Sequence, residues 1–176
     1  MIFSKRMTEM TPDEPATQRE ASVRRVMNVP ARYIFEAYAK PEHLMRWFGP
    51  VGYPVTMCES DFRVGGKWRM AMTGPDGVQG APFGGTYLDI TPHGRIVYDN
   101  AFEDQSGGTM NLQSAGTMIM TTTFTEENGS TTVTVSTLFD SVAMKEEYLG
   151  IGMNEGILSG MDQLEGLARE LSLQGV

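Results

Sequence analysis

The segment from Cys58 to Met70, CESDFRVGGKWRM, holds the residues whose types and spacing best fit chemistry or ligand binding. Asp61 and Arg63 fall on the same side of an extended chain, where they can form an ion pair. If a pocket buries such groups, the pKa values of Glu59, Asp61 and Tyr87 shift, as general acids and bases require. If they are exposed, the ion pair adds only ~0–1 kcal/mol to a structural hairpin. The sequence therefore makes Glu59, Asp61 and Arg63 possible polar anchors for a ligand.

The patterns that mark most catalytic and metal centres are missing from the sequence. It contains no Gly-x-Ser-x-Gly elbow, no Cys-x-x-Cys pair, no His-Glu-x-x-His and no phosphate-binding loop. The two histidines, His43 and His93, are far apart in sequence. Gly150 to Gly156 has the wrong spacing for a dinucleotide loop and follows no strand pattern. We therefore expect no catalytic residues, no metal and no cofactor.

Composition excludes several classes of partner. The chain has 176 residues and a net charge of −8 at neutral pH, a balance that repels nucleic-acid backbones and anionic lipid surfaces. It contains neither a membrane-spanning apolar run nor the apolar stretch of a secretory signal. The only cysteine, Cys58, has no partner for an internal disulfide. These observations predict a cytoplasmic protein with one folded domain and no nucleic-acid partner.

The periodicity of apolar residues predicts a flexible tail followed by one α+β domain. Residues 1–17 are polar and show no period, so the domain is expected at 18–176. A first strand is predicted at Arg19–Val29, and two short helices at 31–40 and 42–48 end before prolines. Further strands are predicted at Val55–Asp61, Lys67–Thr73, Phe83–Thr91 and Arg95–Phe102, and on both sides of Asn128-Gly129. A polar loop is predicted at 103–115.

The last third of the chain changes to helical periodicity. A short helix is predicted at Val142–Leu149, because the glycines that follow it weaken a continuous rod. Ile157, Met161, Leu164 and Leu171 then repeat at spacings typical of an amphipathic helix. A helix of about 20 residues is about 30 Å long, which is enough to cover one face of an antiparallel sheet.

Four segments together resemble a known family: PEHLMRWFGP, CESDFRVGGKWRM, GGTYLDITPHGRIVY and EGILSGMDQLEGLARELS. They are similar to the AHSA-type family, the relatives of the activator of the ninety-kilodalton heat-shock protein ATPase, within the START-like (SRPBCC) superfamily. The resemblance runs from Arg19 to the C-terminus. The family pattern falls on Trp47, Gly49, Pro50, Asp61, Arg63, Gly65, Gly66, Trp68, Gly85, Tyr87, Ile90 and Pro92. Asp89 and Ile157 depart from it, since the family usually has Glu at the first and often Trp at the second.

The resemblance implies a helix-grip fold, in which a curved antiparallel sheet of about six to seven strands wraps around the long C-terminal helix and leaves a cavity. Strand parity and helix face then predict the residues that line this cavity. They are Trp47, Phe48, Trp68, Met70, Met72, Tyr87, Met118, Met120, Phe124, Met153, Ile157 and Met161. An ordinary core rich in methionine and aromatic residues is the alternative interpretation.

Three functions remain open from the sequence. The first is non-catalytic binding of an apolar or amphipathic small molecule, such as a lipid, by a carrier or sensor. The second is the chaperone-associated, stress-response module that the family name implies. The third is a cyclase- or hydrolase-like enzyme that uses the same cavity. A homodimer is compatible with such a fold, but no surface is indicated.

Overall fold

A computed structural model describes residues 14–103 and 116–175. The strands are β1 (Glu20–Met27), β2 (Val55–Ser60), β3 (Lys67–Met72), β4 (Phe83–Thr91), β5 (Arg95–Phe102), β6 (Met118–Glu127) and β7 (Ser130–Leu138). The helices are α1 (Ala31–Ala39), α2 (Pro41–Trp47), α3 (Val142–Gly150) and α4 (Met153–Leu173). The seven strands form one antiparallel sheet in the order β1-β7-β6-β5-β4-β3-β2. The predicted helix-grip α+β fold is confirmed.

One face of the sheet forms the core because apolar side chains alternate with threonine and serine along the strands. Along β6, Met118, Met120 and Phe124 are buried, whereas Ile119 and Thr125 are exposed. This period of two residues is what an antiparallel sheet with one covered face requires. Beyond Asn128-Gly129, where both residues have positive φ, β7 repeats the same alternation.

Helix α4 covers the inner face and packs against α1, α2 and β1. Its buried stripe includes Met161, Leu164 and Leu171, as its predicted amphipathic pattern requires. On its polar side, Arg46 of α2 donates a hydrogen bond to Glu170 at 2.7 Å.

The chain before β1 contacts the start of α3. Arg19 donates hydrogen bonds to the carbonyl oxygens of Glu14, at 2.8 Å, and Phe139, at 2.5 Å. The Glu14 carboxylate accepts one from the Val142 amide at 3.1 Å. Residues 1–13 of the predicted tail, and 104–115 of the predicted loop, lie outside the described residues.

Candidate functional site

The Trp47-Phe48-Gly49-Pro50 motif joins α2 to the middle of α4. Gln163 of α4 donates a hydrogen bond to the Gly49 carbonyl at 2.5 Å, and the Val51 amide donates one to Ser159 at 3.0 Å. A Cβ at position 49 would lie 2.0 Å from the Tyr53 carbonyl oxygen, so glycine is required for the close approach of this turn. The motif thereby fixes the two aromatic side chains before it against the inner face.

Trp47 is buried, and both its indole N–H and its ring make contacts with α1. Its Nε1 donates to the Ala37 carbonyl at 2.9 Å, and its ring lies 4.7 Å from that of Tyr38, centroid to centroid. Phe48 is half-buried, and its ring lies 6.4 Å from that of Trp68 and 6.2 Å from that of Phe83. The two residues thus connect α1 and α2 to the inner face of β3 and β4.

The Asp-x-Arg-x-Gly-Gly-x-Trp motif forms the tight connection between β2 and β3. Gly65 adopts a positive φ of 83°, and a Cβ at Gly66 would lie 1.9 Å from the Asp61 carbonyl oxygen. Backbone hydrogen bonds of 2.8 and 2.9 Å join Gly65 and Gly66 to Tyr87 of β4. The motif therefore fixes the entry of Trp68 into the core.

The three predicted polar anchors lie at the surface. Arg63 donates to Asp61 at 2.7 Å, and both side chains are more than half exposed. Glu59 pairs in register with Arg69, whose side chain is on the outer face of the sheet, and Glu59 is itself exposed. None of the three points toward the buried aromatic residues. An exposed pair of this kind contributes ~0–1 kcal/mol, as the structural interpretation of the motif predicts.

All the predicted lining residues lie in one hydrophobic cluster. Those buried in it are Trp47, Trp68, Met70, Tyr87, Met118, Met120, Phe124 and Met161. The half-buried ones packed against it are Phe48, Met72, Met153 and Ile157. The structure therefore brings the predicted set together.

Aromatic rings run continuously through this cluster. The Tyr38 ring lies 5.6 Å from that of Phe124, and the Trp68 ring lies 5.3 Å from that of Tyr98. Tyr98 is in turn 6.3 Å from Tyr87. Most of these pairs are edge-to-face, the arrangement that aromatic quadrupoles favour.

Three hydroxyl groups that were not predicted as site residues from the sequence meet in this apolar interior. They belong to Tyr38 of α1, Tyr98 of β5 and Thr122 of β6, which we call the hydroxyl cluster. Thr122 is 0% exposed, and its Oγ1 has no hydrogen-bond partner. It lies near enough to both tyrosine oxygens to affect their pKa values, but not in the geometry of a hydrogen bond.

Local packing fixes each member of the hydroxyl cluster. The Glu126 carboxylate accepts a hydrogen bond from the Ala31 amide at 2.6 Å. This contact holds the start of α1 on β6 and so positions Tyr38. Tyr98 pairs in register with Met120, and Thr122 pairs with Ile96 on the same two strands. Thr122 has the same strand parity as Met120, which is the sequence signal that identifies it as inward-facing.

Burial keeps the interior hydroxyls protonated. It raises the pKa values of Tyr38 and Tyr98 far above the usual range, and each tyrosine is near Thr122. Burial also raises the pKa of Tyr87 to about 12, although a hydrogen bond with Ser60 at 2.8 Å opposes this. The Cys58 thiol has its pKa raised to about 11 for the same reason. At neutral pH these groups can donate hydrogen bonds, but they are not bases or nucleophiles.

Asn100 adds a second unpartnered atom on the same face. Its Nδ2 lies 3.7 Å from the Met120 sulfur, but its buried Oδ1 accepts no hydrogen bond. Asn100 follows Tyr98 by two residues on β5, so the two side chains lie about 7 Å apart along the strand. The inner face of β5 therefore has two polar positions within an apolar wall.

The comparisons with known proteins decide the family. The family model described as "Activator of Hsp90 ATPase homolog 1-like protein" (AHSA1) matches residues 28–169. The chain belongs to this AHSA1 family. None of the curated proteins matches the chain significantly.

Solved structures share the AHSA1 fold over nearly their whole length. A protein from Arthrobacter aurescens is 24% identical with a TM-score of 0.77, covering 90% of each chain. One from Nitrosomonas europaea is 20% identical with a TM-score of 0.76, covering 89% of this chain and 97% of its own. One from Staphylococcus epidermidis is 28% identical with a TM-score of 0.69, covering 92% and 94%. The AHSA1 family and this fold are consistent with a ligand-binding or a chaperone-associated domain.

A groove of about 450 Å³ is a separate feature of this AHSA1 domain. It is lined by Glu59, Lys67, Trp68, Arg69, Gly84, Gly85, Ala101, Phe102 and Glu103. Arg69 crosses the groove and donates two hydrogen bonds to Glu103, at 2.5 and 3.1 Å, which lowers the pKa of that carboxyl. The Arg69 and Glu103 charges are thus paired with each other, whereas Thr122 Oγ1 and Asn100 Oδ1 in the interior have no hydrogen-bond partner within the described part of the chain.

The described residues form neither a metal-binding cluster nor a membrane-spanning helix. Among residues 14–103 and 116–175, no group of three or more His, Cys, Asp and Glu side chains is arranged to hold a metal ion. None of the helices in the same ranges combines the length and apolar character needed to cross a bilayer.

Proposed function

We propose that the protein binds an apolar or amphipathic small molecule between the sheet and α4, as a non-catalytic carrier or sensor. The observation that supports this proposal most strongly is the hydroxyl cluster within an aromatic interior. A buried polar group without a partner costs about 1–3 kcal/mol, and most such groups in native proteins have a partner. Either ordered water or a ligand can supply the missing hydrogen bonds.

The accessible surface of interior side chains also supports a binding space. Tyr98 and Met120 keep 5% of their surface accessible and Phe124 keeps 6%, although they face inward from central strands. Ile96 and Val133 on the same face are 0% exposed. This difference in accessible surface favours a space beside Tyr98, Met120 and Phe124 that a ligand could occupy. The predicted lining residues would then form the apolar walls, and the hydroxyl cluster would take the place of the surface residues as the polar anchor.

A ligand panel tests the proposal through thermal unfolding. A molecule that binds only the folded chain stabilises it by RT ln(1 + [L]/Kd), which is about 2.7 kcal/mol when its concentration is a hundred times Kd. We expect several apolar or amphipathic molecules to raise the unfolding midpoint in a saturable way. If no lipid or aromatic compound in the panel raises the midpoint of thermal unfolding, the proposal is wrong.

A chaperone-associated role is the second candidate, favoured by the description of the AHSA1 family model. It predicts that the purified protein raises the turnover of an Hsp90-type ATPase. Unchanged turnover, with no complex detected between the two proteins, would remove this candidate. The expected cytoplasmic location and the possible homodimer are likewise proposals, which cell fractionation and light scattering test.

A further inference from the structure

We infer that the interior site selects an uncharged ligand whose hydroxyl or carbonyl group hydrogen bonds to Tyr38, Tyr98 and Thr122. This inference rests on the proposed function and gives the chemical class of its ligand. It follows from three observations: the convergence of the three hydroxyls, the neutrality of their surroundings and the second polar position at Asn100.

The three hydroxyls come from separate elements, so their convergence depends on tertiary packing. Tyr38 lies on α1, Tyr98 on β5 and Thr122 on β6. Thr122 Oγ1 has no hydrogen-bond partner of normal geometry among the described residues, and both tyrosine hydroxyls lie close enough to it to have their pKa values affected. Each hydroxyl has one donor and two acceptor positions. The cluster can therefore donate to a carbonyl oxygen, or both donate to and accept from a hydroxyl.

The surroundings of the cluster favour a neutral ligand. The rings next to Tyr38 are Trp47 and Phe124, and those next to Tyr98 include Trp68 and Tyr87. The described groups that affect the titration of either hydroxyl are other hydroxyls, not ionised side chains. A carboxylate or ammonium group on a ligand would lose its hydration here without gaining an opposite charge. Ionised analogues should therefore be rejected.

Asn100 adds a second requirement on the ligand. Asn100 lies two residues after Tyr98 on the same face of β5, and its unpartnered Oδ1 is a pure acceptor. A ligand that carries a hydrogen-bond donor in addition to the group bound by the hydroxyl cluster would satisfy both positions. Ligands with one polar group would leave Asn100 unpartnered and bind less tightly.

Three probes of equal ring size separate the possibilities: naphthalene, 2-naphthol and 2-naphthoate, measured by equilibrium dialysis at neutral pH. We expect 2-naphthol to bind up to about ten-fold tighter than naphthalene, since a net hydrogen bond contributes about 0.5–1.5 kcal/mol. We expect 2-naphthoate to bind more weakly than naphthalene. Tyr98→Phe and Thr122→Val should each remove the advantage of 2-naphthol, so that the ratio of the naphthalene and 2-naphthol dissociation constants falls close to one.

Tyr33→Phe is the matched control. Tyr33 lies on α1 with Tyr38 and is buried to the same 6% exposure, but its hydroxyl already accepts a hydrogen bond from Arg32 at 2.5 Å. Its variant should keep the selectivity of the parent. Circular dichroism of each variant confirms that it is folded before binding is compared.

The outcomes distinguish this inference from the function on which it rests. Equal affinity for naphthalene and 2-naphthol would mean that water satisfies the cluster, and would overturn the inference while leaving an apolar binding site. Tighter binding of 2-naphthoate would overturn the uncharged class. No binding by any of the three probes would overturn the binding site and the inference together.

Discussion

At the scale of single residues, two fully buried threonines in neighbouring strands differ in one contact. Thr131 is 0% exposed, and its Oγ1 donates to the Val29 carbonyl at 2.8 Å. Thr122 is equally buried, but its Oγ1 has no partner. Valine has nearly the shape of threonine and suits a strand. The two positions therefore isolate the effect of one unsatisfied hydroxyl.

We predict opposite effects of the same substitution at these positions. Thr122→Val should raise the free energy of unfolding of the ligand-free protein by about 1 kcal/mol, because it removes an unpaired buried hydroxyl. Thr131→Val should lower it by about 1–3 kcal/mol, because it leaves the Val29 carbonyl unpaired. Urea denaturation of both variants and the parent measures the difference. A destabilised Thr122→Val would show that the Thr122 hydroxyl already has a partner, such as bound water.

Tyrosine titration gives a pH dependence. Unfolded tyrosine ionises near pH 10, whereas burial raises the pKa of Tyr87 to about 12 and those of Tyr38 and Tyr98 further. Because the folded state holds these protons longer, its stability is full below pH 10 and falls as the pH rises towards 12. Denaturation at several pH values should show this loss, with tyrosinate absorbance of the buried rings appearing only on unfolding. If all the tyrosines of the folded protein ionised near pH 10, the raised pKa values of Tyr38, Tyr87 and Tyr98 would be contradicted.

Residue roles were only partly predictable from sequence. Alternation along β6 correctly placed Met118, Met120 and Phe124 inward, and the same alternation places Thr122 inward. Thr122 was missed because threonine is common on the solvent face of strands. Tyr38 follows the apolar stripe of its helix, so its hydroxyl gives no signal in the sequence. Only the packing of α1 on the sheet brings these groups together.

At the scale of elements, α4 and α2 approach each other through one glycine. A Cβ at Gly160 would lie 3.3 Å from the Trp47 carbonyl oxygen and 3.4 Å from that of Phe48. A Cβ at Gly166, in the same helix, would meet nothing within 4 Å. A branched side chain therefore fits at Gly166 but not at Gly160.

Valine at each position tests this contact. Gly166→Val should change the free energy of unfolding by less than about 0.5 kcal/mol, since valine is only slightly better than glycine in a helix. Gly160→Val should lower it by about 1–3 kcal/mol, the usual cost of overpacking, because it forces the end of α2 away from α4. Thermal or urea unfolding compares the two variants. Equal stabilities would show that the end of α2 is free to move.

Elements were more predictable than sites. The predicted bounds of β4 and β5 equal the observed ones, because turn residues mark both ends of each strand. The sequence did not reveal the register shift between Tyr87 and Asp89 in the pairing of the two strands, or the hydrogen bond that the Thr86 amide donates to the Asp99 carboxylate at 2.6 Å. Both features involve the partner strand, which periodicity within one strand does not encode.

At the scale of the whole molecule, the helix-grip fold supplies the apolar walls of the proposed interior site, and the hydroxyl cluster supplies its proposed polar end. The net charge of the chain is −8, but no ionised side chain among the described residues affects the titration of the Tyr38 and Tyr98 hydroxyls. The surface charge is therefore not expected to determine which ligand the hydroxyl cluster selects. The family and fold follow from motifs distributed along the chain, whereas the proposed ligand class depends on three hydroxyls that meet only in the folded protein.

The central claim is that this interior holds a ligand, and native mass spectrometry of freshly purified protein tests it most directly. We predict a complex with one small uncharged molecule per chain, which denaturing extraction releases for identification, and less of it in Thr122→Val. A spectrum that shows only the mass of the chain, under conditions in which a complex with added 2-naphthol survives, would contradict the account.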